Sequence, residues 1–168
     1  MLMRIKDIVV EDFVNYHKAC MFIITAFCSF KCDKESGKTV CQNSSLAHQP
    51  TLLIDDERII SMYINNPITE ALCFGGLEPL DQFDEVVALI SCFREVSDDP
   101  IIIYTGYTED EVASKTAVLA AFSNIIIKFG RFIPDQPHHV DPLLGVELAS
   151  PNQYAKRLEE VKDESQCK

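Results

Sequence analysis

Cys28, Cys32 and Cys41 stand in the stretch FCSFKCDKESGKTVCQN at the spacing C-x3-C-x8-C, and the same stretch contains SGKT. A phosphate-binding loop needs G-x4-G-K-[ST], with glycine at both ends so that backbone N–H groups can wrap the phosphates. Gly37, Lys38 and Thr39 supply the tail of that pattern, but Cys32 occupies the place of its first glycine. The phosphate reading is therefore disfavoured. Three thiolates in one short loop are soft ligands that select zinc or iron–sulfur. Zinc would take a fourth ligand, with His48 or Cys20 nearest in the chain. A [4Fe-4S] cluster held by three cysteines keeps one iron open to a substrate or cofactor. The plain alternative makes the cysteines small apolar side chains in or near the core. Spacing alone leaves iron–sulfur, zinc and core packing open.

The loop follows residues 21–26, an apolar run that reads as the first strand. Residues 55–66 read as a helix, since Ile59, Ile60, Tyr63 and Ile64 share a face and Pro67 follows its end. Residues 70–74 form a short strand running into Gly75-Gly76. Residues 81–95 form the clearest helix, with Phe83, Val86, Val87, Ile90 and Phe93 on one stripe and Asp81 as its N-cap. IIIYTGY and NIIIK are continuous apolar runs that suit strands buried on both faces. Between them Thr108 and Glu111 have the spacing of a capping box, opening a helix to about residue 122. Residues 134–144 read as irregular, and the tail beyond Arg157 as helical. The order βαβαβαβ implies an α/β domain with a parallel sheet and crossover helices. Ligands in such sheets bind at the carboxyl ends of the strands. The cysteine loop, GGLEP and TGY all fall there.

The expectation is a single domain over residues 1–168, with a core at about 20–155 and a tail at 156–168. A net charge of -11 leaves no basic excess to replace phosphate counterions, which argues against a nucleic-acid partner. The longest apolar stretch is too short to span a bilayer, and the acidic N-terminal residues are unlike a secretory signal. A cytoplasmic protein is expected, with no membrane partner. Seven cysteines then point to reduced thiols or metal ligation over a disulfide framework.

Cys28, Cys32 and Cys41 after a strand, followed in order by FGGLEP, IYTGYTEDEV, KFGRFI and LASPNQ, resemble the radical S-adenosylmethionine (SAM) proteins. Within them the chain is most similar to the activating proteins of anaerobic (class III) ribonucleotide reductase. The resemblance implies an incomplete β/α barrel with a mostly parallel sheet, and cluster and SAM at the strand ends. It makes Cys28, Cys32 and Cys41 the ligands of a [4Fe-4S] cluster whose open iron chelates SAM. Reductive cleavage to methionine and a 5′-deoxyadenosyl radical would then install a glycyl radical on the partner reductase. An electron donor such as flavodoxin or ferredoxin is also implied.

By position in the family motifs, Asn43 matches the C-x-N step. Gly75, Gly76, Glu78 and Pro79 match the turn that meets the methionyl amino group. Thr105, Gly106 and Tyr107 would line the same mouth, and Asn152 and Gln153 match a late motif near the site. The chain departs from the family in two places. The family spacing is C-x3-C-x2-C with an aromatic before the last cysteine, whereas here the second gap holds eight residues and Val40 precedes Cys41; Leu77 also interrupts GGEP. The competing functions are a radical-SAM enzyme with another target, whether a glycyl-radical enzyme or a small molecule, and a non-catalytic zinc or iron–sulfur module. The absence of an extra domain to enclose a small substrate favours a macromolecular partner. Cys20, Cys73, Cys92 and Cys167 read as core or surface thiols, His138-His139 as solvated, and Arg131 as a partner of surface acids. Tyr107 is balanced between packing and ligand contact.

Overall fold

Strand formation begins earlier than the apolar pattern indicates. In the computed structural model, which describes residues 1–159, β1 (Leu2–Asp12) and β2 (Cys20–Thr25) form an antiparallel pair with Ile8 opposite Ile23. Two short helices follow, α1 (Lys31–Ser36) and α2 (Ser44–Ala47), then β3 (Leu52–Asp55) and α3 (Asp56–Ile64). Strand and helix then alternate through β4 (Leu72–Gly75), α4 (Phe83–Arg94), β5 (Ile101–Tyr104), α5 (Ala113–Leu119) and β6 (Ile125–Phe129). A hairpin of β7 (His139–Asp141) and β8 (Val146–Leu148) precedes β9 (Tyr154–Arg157).

The main sheet has seven strands in the order β3-β1-β2-β4-β5-β6-β9. At its centre β2, β4, β5 and β6 run parallel, as the alternating pattern requires. Antiparallel β1 and β3 extend one side and antiparallel β9 the other. The outer strands do not pair with each other, so the sheet is open and no closed barrel forms among the described residues.

Both faces of the central strands are buried, which is why they read as unbroken apolar runs. Side chains of period two sort themselves between two cores. Ile23, Phe74, Ile101, Ile103, Ile125 and Ile127 pack against the helices. Cys20, Cys73, Ile102 and Ile126 face the other way, covered by Tyr16 and by Leu144 and Leu148 of the hairpin region. No helix among the described residues is long and apolar enough to cross a membrane.

Several elements differ from expectation. The strand at 21–26 is second in the chain, since Lys6, Asp7 and Glu11 conceal β1, in which Met3 and Ile5 are buried. The helix expected at 81–95 starts instead as a 3-10 turn, Pro79–Gln82, and becomes α-helical at Phe83. Asp81 is not its cap. The Glu78 carboxyl takes that role by accepting from Leu80 N at 3.1 Å, and Pro79 sits in the first turn, where no N–H is needed. Glu111 Oε2 accepts from Thr108 N at 2.9 Å, after which a 3-10 turn, Asp110–Val112, delays α5. Part of the segment expected to be irregular is β7. The tail helix expected beyond Arg157 falls almost wholly outside the described residues, as does Cys167.

Candidate iron–sulfur site at the strand ends

The chain leaving β2 is tied by hydrogen bonds to the GGLEP turn and to the 3-10 turn that follows it. Ala26 N donates to Gln82 Oε1 at 2.7 Å, Glu78 N to Phe27 O at 2.8 Å, and Ser29 N to Asp81 Oδ2 at 2.6 Å. Asp81 Oδ1 also accepts from the Tyr107 hydroxyl at 2.6 Å, which brings in the loop after β5. Cys28 is thus set by three strand ends at once. Phe30 then adopts a left-handed conformation, φ 51°, uncommon for an aromatic residue, and its N–H points to Cys28 Sγ at 3.3 Å. The resulting sharp turn starts α1, which carries Cys32.

The long second gap closes on itself. Gly37, φ 70°, ends α1, and Ser36 Oγ donates to Lys38 O at 2.7 Å. Asp33 Oδ1 then accepts from Val40 N at 2.7 Å and from Cys41 N at 2.8 Å. One carboxylate next to Cys32 therefore fixes the backbone of Cys41. SGKT is a helix end and a turn in this excursion, not a phosphate cradle.

Cys28, Cys32 and Cys41 line one cavity of about 470 Å³. Gly76, Glu78, Thr105 and Gly106 line it from the strand ends, together with Asn43, Gln153, Phe22 and Tyr104. A Cβ added to Gly106 would lie 3.6 Å from Glu78 Oε2 and 3.9 Å from Cys32 Sγ, which shows how closely the loop meets the third strand end. The remaining candidates do not line this cavity. Gly75 completes β4, Pro79 is buried in its 3-10 turn, and Asn152 Nδ2 donates to Arg131 O at 2.8 Å. Tyr107 borders an adjoining crevice with Ser29 and Arg131, and the Lys31 ammonium stands 4.4 Å from its ring centre. Arg131 pairs with Glu35 at 3.0 Å and with Glu111. Cys20 and Cys73 are fully buried in the second core, and Cys92 is half-buried on α4.

Burial pushes the Cys28 thiol up to about 12 and raises Cys41 as well, so both stay protonated without a cation beside them. Ligation exchanges those protons for metal. Zinc bound by sulfur at about 2.3 Å draws its ligands to within roughly 4 Å of one another. No group of Cys, His, Asp or Glu among the described residues is arranged to hold a single ion in that way. The three thiols border one shared cavity.

Glu78 is the buried acid of the site. Besides capping the 3-10 turn, it accepts from Thr105 Oγ1 and from Gly106 N, each at 2.8 Å. Desolvation nevertheless outweighs these bonds and lifts the carboxyl from 4.5 to about 7. Between those values the folded protein holds a proton that the unfolded chain has released. Stability therefore falls as pH rises through that window, by about 3 kcal/mol once the group is ionised. Glu78→Gln is expected to flatten the unfolding free energy of the metal-free protein between pH 4.5 and 7. A denaturation series retaining the wild-type slope would contradict this assignment.

Gln153 ties the hairpin to the sheet, its Oε1 accepting from Ala149 N at 3.0 Å and its Nε2 donating to Gly130 O at 3.3 Å. Gly130 has φ +99°, and a Cβ there would lie 2.5 Å from Asn152 O. Gly130→Ala combines a left-handed alanine with a backbone clash, for an expected loss of roughly 2–5 kcal/mol in chemical denaturation. An unchanged midpoint would mean that the 152–153 segment shifts freely.

The sequence does not mark Asp33 and Gln82, which shape the loop, or Lys128, which lines the cavity, and Asp81, expected as a helix cap, instead receives Ser29 and Tyr107. A lysine ending an otherwise apolar buried strand was the available signal for Lys128. Residues 18–148, from just before β2 to the end of β8, match the family model described as a 4Fe-4S single cluster domain. No curated protein and no solved structure matches the chain.

Proposed function

Because this chain belongs to the 4Fe-4S single cluster domain family, we propose that Cys28, Cys32 and Cys41 hold a [4Fe-4S] cluster and that SAM binds beside it. The protein is then a radical-SAM activase, and its target is the glycine of an anaerobic ribonucleotide reductase that becomes a glycyl radical. The observation that supports this reading is the meeting of all three thiols with the ends of β4 and β5 in one cavity. When bound, such a cluster supplies an open iron site and an electron for the reductive cleavage of SAM.

The chain's own residues supply position and environment. The hydrogen bonds from Gln82 and Asp81 to Ala26 and Ser29 hold Cys28 at the strand ends, and Asp33 returns Cys41 to the same space. Glu78, fixed by Thr105 and Gly106, offers a carboxylate to the methionyl ammonium. That cation would favour the ionised carboxylate and offset its burial. Phe22 and Tyr104 add aromatic surface to the cavity lining. The electron comes from a donor such as flavodoxin or ferredoxin.

Anaerobic reconstitution with iron and sulfide tests the proposal. It requires about four irons per chain, a reduced-state EPR signal that SAM alters, and reductant-dependent release of methionine and 5′-deoxyadenosine. Co-incubation with the reductase should give a glycyl-radical doublet. Bound zinc without a brown chromophore would reject the cluster. A cluster whose signal ignores SAM would reject the activase.

A further inference from the structure

Lys128 is out of keeping with its strand. Along β6, Ile126 and Lys128 share the face turned away from the helices, where Ile126 belongs to the second core. Lys128 is 6% exposed and lies level with Tyr104 of β5, whose ring centre is 5.9 Å from its ammonium. The ammonium donates to one protein acceptor, Gly130 O, at 2.9 Å. Glu78 attracts it through space, but no hydrogen bond joins the two side chains, and the Glu78 oxygens accept from Leu80, Thr105 and Gly106. Glu147, also on the cavity wall, pairs with His138. A buried ammonium with a single carbonyl partner is costly to the fold. Lys128 lines the cavity that holds the three thiols.

Among the described residues lining that cavity, Lys128 is the only lysine or arginine. We propose that its ammonium receives a single carboxylate of a bound ligand. A dianionic phosphate would set two charges against one lysine with Glu147 on the same wall, whereas one carboxylate balances the lysine. That carboxylate comes either from SAM, in which case the inference rests on the function proposed above, or from a second substrate entering the same cavity.

The test uses reconstituted protein and Lys128→Met, which keeps the length of the side chain and removes the buried charge. Equal iron content in both proteins establishes that the fold is retained. If SAM supplies the carboxylate, equilibrium dialysis shows SAM binding weakened by roughly tenfold or more, with decarboxylated SAM unaffected. If a second substrate supplies it, SAM binds both proteins alike. Acetate, used as the probe, then slows reductive methylation of Lys128 in SAM-bound wild type, read by peptide mass spectrometry. Equal weakening of SAM and decarboxylated SAM marks a packing role and overturns the proposal. Equal SAM affinities without acetate protection overturn it too, and leave the SAM reading intact. If wild type binds no SAM, that reading falls, and acetate protection in the SAM-free protein alone decides for or against the carboxylate site.

Discussion

Cys41→Ala is expected to abolish stable cluster binding. After anaerobic reconstitution the variant should lack the brown chromophore and retain little iron above background; under the proposed function it should also cleave SAM at least about a hundredfold more slowly, since even outer-shell changes at metal sites cost up to that factor. Cys28→Ala and Cys32→Ala should behave alike, because all three thiols border the same cavity. Each thiol is only partly buried, so the metal-free variants should fold with nearly wild-type stability, and the loss can be assigned to ligation. Cys92→Ala on α4 is the matching control and should keep its iron. Cys41 is the most informative of the three, since the eight-residue gap before it is where the chain departs from the usual spacing. Full iron content in Cys41→Ala would remove it from the ligand set.

The centre of the fold was legible because its strands are buried on both faces. IIIY and IIIK announce β5 and β6 without any long-range information. The flanking strands carry no such mark. β3 is LLID with Leu52 and Leu53 half or more exposed, and it is a strand only because it pairs with residues 2–5 of β1. β9 likewise depends on register with β6. Pairing with a distant edge decides such segments, and local composition does not.

The candidate site was legible to the same degree. Its cysteines and strand-end turns lie in recognisable order, and Leu77, which interrupts GGEP, does not displace Glu78 from Thr105 and Gly106. The groups that shape the cysteine loop were hidden because they act on backbone N–H groups. Nothing in the local sequence distinguishes Gln82, which holds Ala26, from a surface glutamine. Asp81 looked like a helix cap because an aspartate ahead of an apolar stripe usually is one. Here Glu78 caps the turn, which leaves Asp81 to receive Ser29 and Tyr107.

Asp33 is where that hidden layer can be tested most directly. Its carboxylate receives two N–H groups at the far end of the loop, and hydrogen bonds to a charged acceptor contribute about 1.5–3 kcal/mol each. Water can replace part of this, because Val40 and Cys41 are only half-buried. Asp33→Ala is therefore expected to shorten the lifetime of the reconstituted cluster under chelator by roughly tenfold or more, a loss of about 1.4 kcal/mol at the lower end. Asp33→Asn keeps a side-chain oxygen in the same place and should recover most of that lifetime. Lys34→Ala, an exposed change on the same helix, should leave it untouched. This ordering separates the staple from a general weakening of α1, which would lower Lys34→Ala as well and would not be rescued by asparagine. If Asp33→Ala keeps the wild-type lifetime, Cys41 reaches the cavity without the staple, and the cluster itself orders the loop.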